Sequence, residues 1–597
     1  MLSTETIEAM NEIVEDCMGD APPYCQATCP LHIDVKGYVD LISEGEYKES
    51  LELIRETTPF PGILGRICAH PCEEECKRQE LESALSIKNL KRFVSDLEDD
   101  PQNWDFTSKD ESGNKVAIIG AGPTGALAAY DLRKEGHQVT IFEALPVVGG
   151  MLSVGIPDYR LPQEVIDREY SILEKLGVKI ELNTRVGNDI SFAELEDKFD
   201  AVFVAHGAHE SIMLPLPGAE LEGVLPGVDF LRDATINRDN VKMGKKVVVI
   251  GGGNVAIDVA RTAWRFGAEE VHLLCLESRE EMPAHSWEVE DAEEEEVQVH
   301  CGWGPKEIQG QDKVTGISFK KCTSVRDEEG NFAPNYDEEQ IKELEADTVI
   351  LAIGQNAESD FLKDDDKVEL NRGDKVKVDP VTLQTDKDHV FAGGDNAGRP
   401  LLAIEAMAHG RKAATSINLY LKGQELHEDR DQEGTFETWL ETEIDDNESK
   451  EERVDMRMLS IDERRGNFEE VELGFSEVEA RRESKRCLQC ECKLCMQECV
   501  MLNDYCESPK DLFAKIIENE DVDPIIPYSC NMCSQCTIVC PKEFPIKMKF
   551  MKIRKDMVKA NDGKSPMKGH NAIEMHQFLG FSWLFNTAKS AKDKGSA

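Results

Sequence analysis

"VAIIGAGPTGALAAYDLRKEGHQVTIFEA", residues 116–144, decides the fold. It opens with an apolar run, turns through Gly120, Gly122 and Gly125, continues as an alanine-rich helical pattern, and ends in a second apolar run at Glu143. Strand, G-x-G-x-x-G turn, helix and strand make a dinucleotide-binding βαβ unit. The glycines let the backbone turn tightly and approach a pyrophosphate, which rests on the helix N-terminus. Glu143 lies 23 residues after Gly120, where a carboxylate accepts hydrogen bonds from a ribose. A second unit, "KVVVIGGGNVAIDVARTAWRFGAEEVHLLCLE" (246–277), carries Gly251, Gly253, Asn254 and Ala256 and ends at Glu277. Two such units predict an α/β chain holding two dinucleotides in one catalytic block.

At 597 residues the chain has room for several domains, at roughly 100–200 residues each. A formal charge of −49 excludes nucleic acid as a partner, because phosphate backbones repel it. The opening "MLSTETIEAMNEIVEDC" is acidic and lacks the basic-then-apolar order of a signal peptide. No apolar run approaches the ~20 residues of a membrane span. Nineteen cysteines in such a chain point to a reducing cytoplasm and metal clusters rather than a disulfide scaffold. From Pro541 onward the balance reverses, with 12 Lys and Arg against 5 Asp and Glu. That tail either folds over the acidic body or docks a partner, with "MHQFLGFSWLFN" (575–586) as its apolar anchor.

The cysteines gather at both ends. "YSCNMCSQCTIVCP" (528–541) sets Cys530, Cys533, Cys536 and Cys540 in the C-x2-C-x2-C-x3-C-P spacing of a bacterial-ferredoxin 4Fe–4S site. Three thiolates wrap one cubane and the fourth reaches a neighbouring one. Zinc is the alternative, although zinc knuckles are usually paired across longer loops. Upstream, "RCLQCECKLCMQEC" offers Cys487, Cys490, Cys492, Cys495 and Cys499. Counting back from Cys499, the fourth position falls on Gln489, so Cys490 or Cys487 has to supply the missing ligand. Crosswise sharing joins Cys499 to Cys530, Cys533 and Cys536, and Cys540 to the other set. Cys506 has no evident place, and Cys275, Cys301 and Cys322 are isolated.

Five motifs in order, "GAGPTGALAA", "GIPDYRLP", "GGGNVAIDVARTA", "MPA" and "VFAGGD", resemble the glutamate synthase small-subunit family. That family includes the matching parts of dihydropyrimidine dehydrogenase and of the NADH-dependent ferredoxin:NADP oxidoreductase large subunit. The resemblance implies a glutathione-reductase-like pair of nested Rossmann domains between helical iron–sulfur domains. Together with composition, which turns charged from about 424 to 480 and cysteine-rich after it, this divides the chain into a helical iron–sulfur domain (1–110), an FAD domain (111–235 and 360–423) enclosing an NAD(H) domain (236–359), an acidic linker (424–480), and a two-cluster domain with a basic tail (481–597). FAD would lie on Gly120, Gly122, Gly125, Glu143, Gly149, Gly150, Gly394 and Asp395. His206 stands where relatives carry a threonine ("AHG" for "ATG") and reads as structural. At the N-terminus the pattern implies one or two clusters among Cys25, Cys29, Cys68, Cys72 and Cys76. Carried over by position, Cys17, Asp20, Cys25 and Cys76 form one set, and Cys29, Cys68 and Cys72 the other. Lys91 occupies the place of a Gln or Glu ligand, and an ammonium cannot ligate iron. The C-terminal module resembles the small iron–sulfur subunit of heterodisulfide reductase, which implies docking to a partner redox subunit.

The expected activity follows. NADH reduces FAD, and electrons leave one at a time through 4Fe–4S clusters to a partner, with no side-chain acid or base required. Glu277, with Leu276, stands where NADPH-using relatives carry an Arg pair. A carboxylate there accepts a ribose 2′-OH and repels a 2′-phosphate, so NADH is expected. Arg279, two residues on, is the competing feature. Alternatives are a true glutamate synthase small subunit and an electron-wiring subunit without nucleotide turnover. Electron bifurcation stays open.

Overall fold

The apolar runs form two five-stranded parallel sheets in the computed structural model. It describes residues 2–582, apart from 98–100, 105–106, 363–367, 429, 431, 445–446 and 520. The first sheet has the order Val390–Ala392, Ala201–Val204, Lys115–Ile119, Gln138–Phe142, Lys179–Glu181. The second has the order Val224–Pro226, Thr348–Leu351, Lys246–Ile250, Glu270–Cys275, Gln298–Cys301. Register sets Ile119 beside Phe142 and Val204, and Ile250 beside Leu274 and Leu351. Parallel strands are covered on both faces, which is why "VAII", "VVVI" and "TVIL" are apolar without alternation. Helix Pro123–Lys134 packs on Ala403–Leu421 through small residues. A Cβ at Gly410 would come within 2.2 Å of the Thr124 carbonyl. The second sheet starts at Val224, so 224–235 pack with it, upstream of the expected boundary at 236. A three-stranded antiparallel sheet, Trp303–Gly310, Val314–Arg326 and Phe332–Glu345, is inserted before Thr348.

The described residues fall into two units. The larger holds both parallel sheets, spanning 25–436 and 449–488, and includes the helices Val35–Glu44, Tyr47–Thr57, Pro61–Ile67 and Ile87–Leu97. The acidic stretch expected to be a solvated linker is in good part a packed strap on this unit. Val454, Val471 and Phe475 are buried, Glu470 pairs with Arg66 and Arg92, and Glu472 with Lys88. Glu470 and Glu472 there have fixed partners rather than water.

The smaller unit combines residues 1–24, 437–448 and 489–597. Helix Thr4–Asp16, capped by Ser3, buries Met10 and Ile13 with Phe513 and Phe550. Its acidic face meets the basic helix Ile546–Ala560 through Lys549–Glu12 (2.5 Å) and Lys552–Glu5 (2.9 Å). This part of the basic segment therefore folds onto its own unit. The sequence-expected anchor 575–586 runs past the described residues at 583. No helix among the described residues is long and apolar enough to cross a membrane.

Candidate functional site

A cleft of about 1330 Å³ in the larger unit is lined by both glycine turns. On the first side, Gly120 has φ +106°, and a Cβ there would meet the Ala205 carbonyl at 2.5 Å. A Cβ at Gly125 would sit 2.1 Å from the Gly120 carbonyl. Gly122, by contrast, faces open space along the cleft. Glu143 is buried, and its two carboxylate oxygens accept the Ala121 and Leu145 N–H groups, each at 2.7 Å. Burial raises its pKa, against those two hydrogen bonds. Gly149 and Gly150, both at positive φ, bring the next turn against Gly122. Gly394 packs on Thr124. Asp395 enters the cleft and accepts the Leu401 N–H at 2.9 Å.

The second side repeats the design. A Cβ at Gly251 would lie 2.2 Å from the Ala352 carbonyl, Gly253 faces open space, and Ala256 is buried beneath the turn. Asn254 Oδ1 accepts the His285 N–H, and the His285 ring stacks on Trp287 at 4.3 Å. Glu277 reaches the cleft beside Gly252. Arg279 is turned into a bidentate pair with Glu293, both contacts at 2.8 Å. His206 Nδ1 donates to the Gly207 carbonyl and Nε2 bonds with Ser359 Oγ, each at 3.0 Å, and burial lowers its pKa to about 4, so it stays neutral.

Sequence reasoning missed two groups here. Arg160, of "GIPDYRLP", binds Asp258 on the second nucleotide helix (2.7 and 2.8 Å) and Glu288 (2.5 Å), tying the two nucleotide folds together. Cys68 lines the same cleft, with Arg66 and Lys88, so a thiol of the N-terminal segment opens to the space between the nucleotide turns. The motif order signalled Arg160; nothing local signalled the placement of Cys68.

Cys29, Cys68 and Cys72 are buried in one core. Burial raises the Cys68 and Cys72 thiols, and the buried Lys91 ammonium pulls both the other way. Cys25, Cys76 and Cys487 pack partly buried against this core. Cys17 is not with them: it belongs to the smaller unit, and Asp20 pairs there with Lys510 at 2.9 Å. The set implied by position, Cys17–Asp20–Cys25–Cys76, thus draws its residues from both units.

In the smaller unit, burial raises the Cys536 thiol, and Cys499, Cys530 and Cys533 add to the effect from close by. Cys492, Cys495 and Cys540 line a small cavity together with Cys17. Burial pushes Cys495 up to about 12, reinforced first by Cys17. Cys490 packs with Met18, Ala21 and Leu440, and Cys506 donates to the Leu502 carbonyl. Among the described residues no three His, Cys, Asp or Glu groups close around a single ion. A four-iron cube holds its thiolates farther apart, and soft thiolates suit it.

Three family models match the chain. One described as pyridine nucleotide-disulphide oxidoreductase covers 114–410, dihydropyrimidine dehydrogenase domain II with a 4Fe-4S cluster covers 2–103, and a 4Fe-4S dicluster domain covers 486–545. NADP(+)-dependent formate dehydrogenase subunit beta of Moorella thermoacetica is 41% identical over 509 residues, 78% of this chain and 70% of that one. NADPH-Fe(3+) oxidoreductase subunit beta of Geobacter sulfurreducens is 38% identical over 515 residues, 78% and 75%. The glutamate synthase (NADPH) small chain of Azospirillum brasilense is 34% identical over 435 residues, 70% and 90%. The chain belongs to the glutamate synthase small-chain-like family of FAD/NAD(P) oxidoreductases. As an NAD(P)H-dependent member with iron–sulfur modules, it presents residues that fit its cofactors. Two glycine cradles open to one cleft where a Cβ at Gly122 or Gly253 would take ligand space, and grouped thiols stand in both cysteine-rich segments.

Proposed function

We propose that this chain is the NADH-oxidising subunit of a multi-subunit redox complex, carrying electrons from a flavin through iron–sulfur centres to a partner subunit. One observation carries the reading: a single cleft is lined by both nucleotide turns and by Cys68. Flavin, when bound, accepts a hydride's two electrons and releases them singly, which single-electron clusters require. The chain's own part is to seat and orient. Gly120, Gly122 and Gly125 cradle one pyrophosphate at a helix N-terminus, with Glu143 at its ribose and Gly149, Gly150, Gly394 and Asp395 around the rest. Gly251, Gly253, Asn254 and Ala256 do the same for NADH. Arg160 fixes the two folds so that both nucleotides share the cleft. Cys25, Cys29, Cys68, Cys72 and Cys76 serve the N-terminal cluster sites, and Cys68, in the cleft lining, is the thiol that would receive electrons from it. Both β-subunit relatives are named as parts of larger enzymes, which supports a partner here.

Glu277 sets the nucleotide preference. It stands beside Gly252, while the Arg279 guanidinium is engaged by Glu293 through two contacts. The names of all three relatives specify NADP or NADPH, so the NADH reading rests on Glu277 and not on them. NADH is expected to reduce the flavin at least ten-fold faster than NADPH in anaerobic stopped-flow traces. Leu276→Arg with Glu277→Arg should reverse the order; equal rates in the native protein would refute the assignment.

The terminal outlet is proposed at Cys530, Cys533, Cys536 and Cys499, since Cys533 is exposed. Docking beside it is supported by the helix His570–Gly580, whose Phe578 is 74% exposed, with Ile573 and Met575 also uncovered. Cys533→Ser should cut electron delivery to the co-purified partner more than ten-fold while NADH still bleaches the flavin. Undiminished delivery would move the outlet to the N-terminal thiols.

A further inference from the structure

The ferredoxin spacing of the C-terminal module is one ligand short, and the missing position is Gln489. Cys487 packs against the core of the larger unit, and Cys490 packs beside Met18, Ala21 and Leu440, as Cys492 does, but neither Cys487 nor Cys490 lines the cavity shared by Cys492, Cys495 and Cys540. The cavity that receives Cys492, Cys495 and Cys540 is completed by a sulfur from the other end of the chain.

We propose that Cys17 is the fourth ligand of the iron–sulfur cluster held by Cys492, Cys495 and Cys540. The cavity is lined by these four thiols and walled by Leu494, Pro509, Phe544 and Ile546. Grouped sulfurs inside an apolar shell are what a cubane needs, because the shell limits water access and helps set its potential.

Its position is built rather than incidental. Ser3 donates to Asp556 from both its N–H (2.8 Å) and its hydroxyl (2.7 Å), fixing the start of helix Thr4–Asp16. Met10 and Ile13 are fully buried in the same core, and Glu12 holds Lys549. Just past the helix, Gly19 lies so close to Ser508 that a Cβ would meet its Cβ at 2.5 Å. Asp20 then clasps Lys510. The segment carrying Cys17 is thus pinned on both sides of the sulfur. On ligation, an Fe–S bond replaces the Cys17 S–H bond and the proton leaves to solvent; iron and sulfide come from the cell's cluster supply.

The inference rests on iron–sulfur loading of the module, which the iron and acid-labile sulfide of the native chain measure directly. Native protein rich in zinc and poor in iron would overturn that premise, and the ligand assignment with it. With iron present, the full-length chain is compared anaerobically as Cys17→Ala, Cys495→Ala and the double variant. Each single change should remove about four irons and the same reduced-state EPR component. The double variant should lose no more than either single one, because both residues serve one cluster. Undiminished iron in Cys17→Ala, or a loss of about eight irons in the double variant, overturns the assignment. Cys506→Ala should retain all iron. FAD content reports on the fold of the larger unit. Should Cys17→Ala not accumulate, Cys17→Ser keeps the volume and offers an oxygen donor. It should then shift the EPR signal that Cys495→Ser shifts and no other; a shift in a different signal refutes the assignment.

Discussion

Gly125→Ala is expected to yield protein with less than a tenth of the native flavin. The added Cβ would stand 2.1 Å from the Gly120 carbonyl and 3.1 Å from Ile118 Cγ2. Both neighbours are fixed, the first as backbone and the second in a buried strand, so helix Pro123–Lys134 has to move off the sheet. Overpacking of this kind costs about 1–3 kcal/mol in the fold. The larger effect falls on FAD, because the same shift carries the helix N-terminus away from the pyrophosphate. Gly122→Ala separates the two effects. Gly122 has φ −72° and open space at its Cβ, so the fold should keep its thermal midpoint. The methyl group would instead enter ligand space and weaken FAD retention. Flavin absorbance per chain and thermal unfolding of both variants check this. Native flavin content in Gly125→Ala would mean that the cofactor does not rest on this turn.

The nested nucleotide folds were legible because their determinants are local. Apolar runs without alternation mark buried parallel strands, and Gly125 is forced by the Gly120 carbonyl of the same turn. The Cys530–Cys540 spacing was legible for the same reason. Cys17 was not, since its neighbours Cys492, Cys495 and Cys540 lie more than 470 residues further along the chain and no spacing rule spans that distance. Position within a familiar N-terminal pattern pointed it to Cys25 and Cys76 instead. The strap at 449–488 was misread because alternating charges look alike whether they face water or Arg66, Lys88 and Arg92. Arg160 stood inside a recognised motif, yet its partners Asp258 and Glu288 emerge only when the two sheets are assembled.

Glu295 is the second site of large effect. It is fully buried and binds Arg265 (2.5 and 2.9 Å), Arg261 (2.8 and 3.0 Å) and Arg464 of the strap (3.3 Å). Arg265 lies 3.6 Å over the Tyr159 ring, beside Arg160, so the cluster supports the junction between the nucleotide folds. Glu295→Gln keeps the shape but removes the carboxylate that faces all three guanidinium groups at once. Breaking a buried pair from one side costs about 3–5 kcal/mol, because the remaining charge stays desolvated. Arg261 keeps Asp291 at 3.0 Å, which places the expectation at the lower end of that range. The pH dependence gives the sign. Burial pushes the Glu295 carboxyl up, but Arg265 and Arg261 outweigh it and hold the pKa at about 2, below the ordinary 4.5. A depressed carboxylate contributes stability above its unfolded pKa and loses it as pH falls through the folded one. The stability gap between native and Glu295→Gln protein should therefore be full at pH 6 and shrink as the pH falls from 4.5 towards 2. Denaturant midpoints measured across that range check it; a gap independent of pH would show that the carboxylate charge is not what holds the junction.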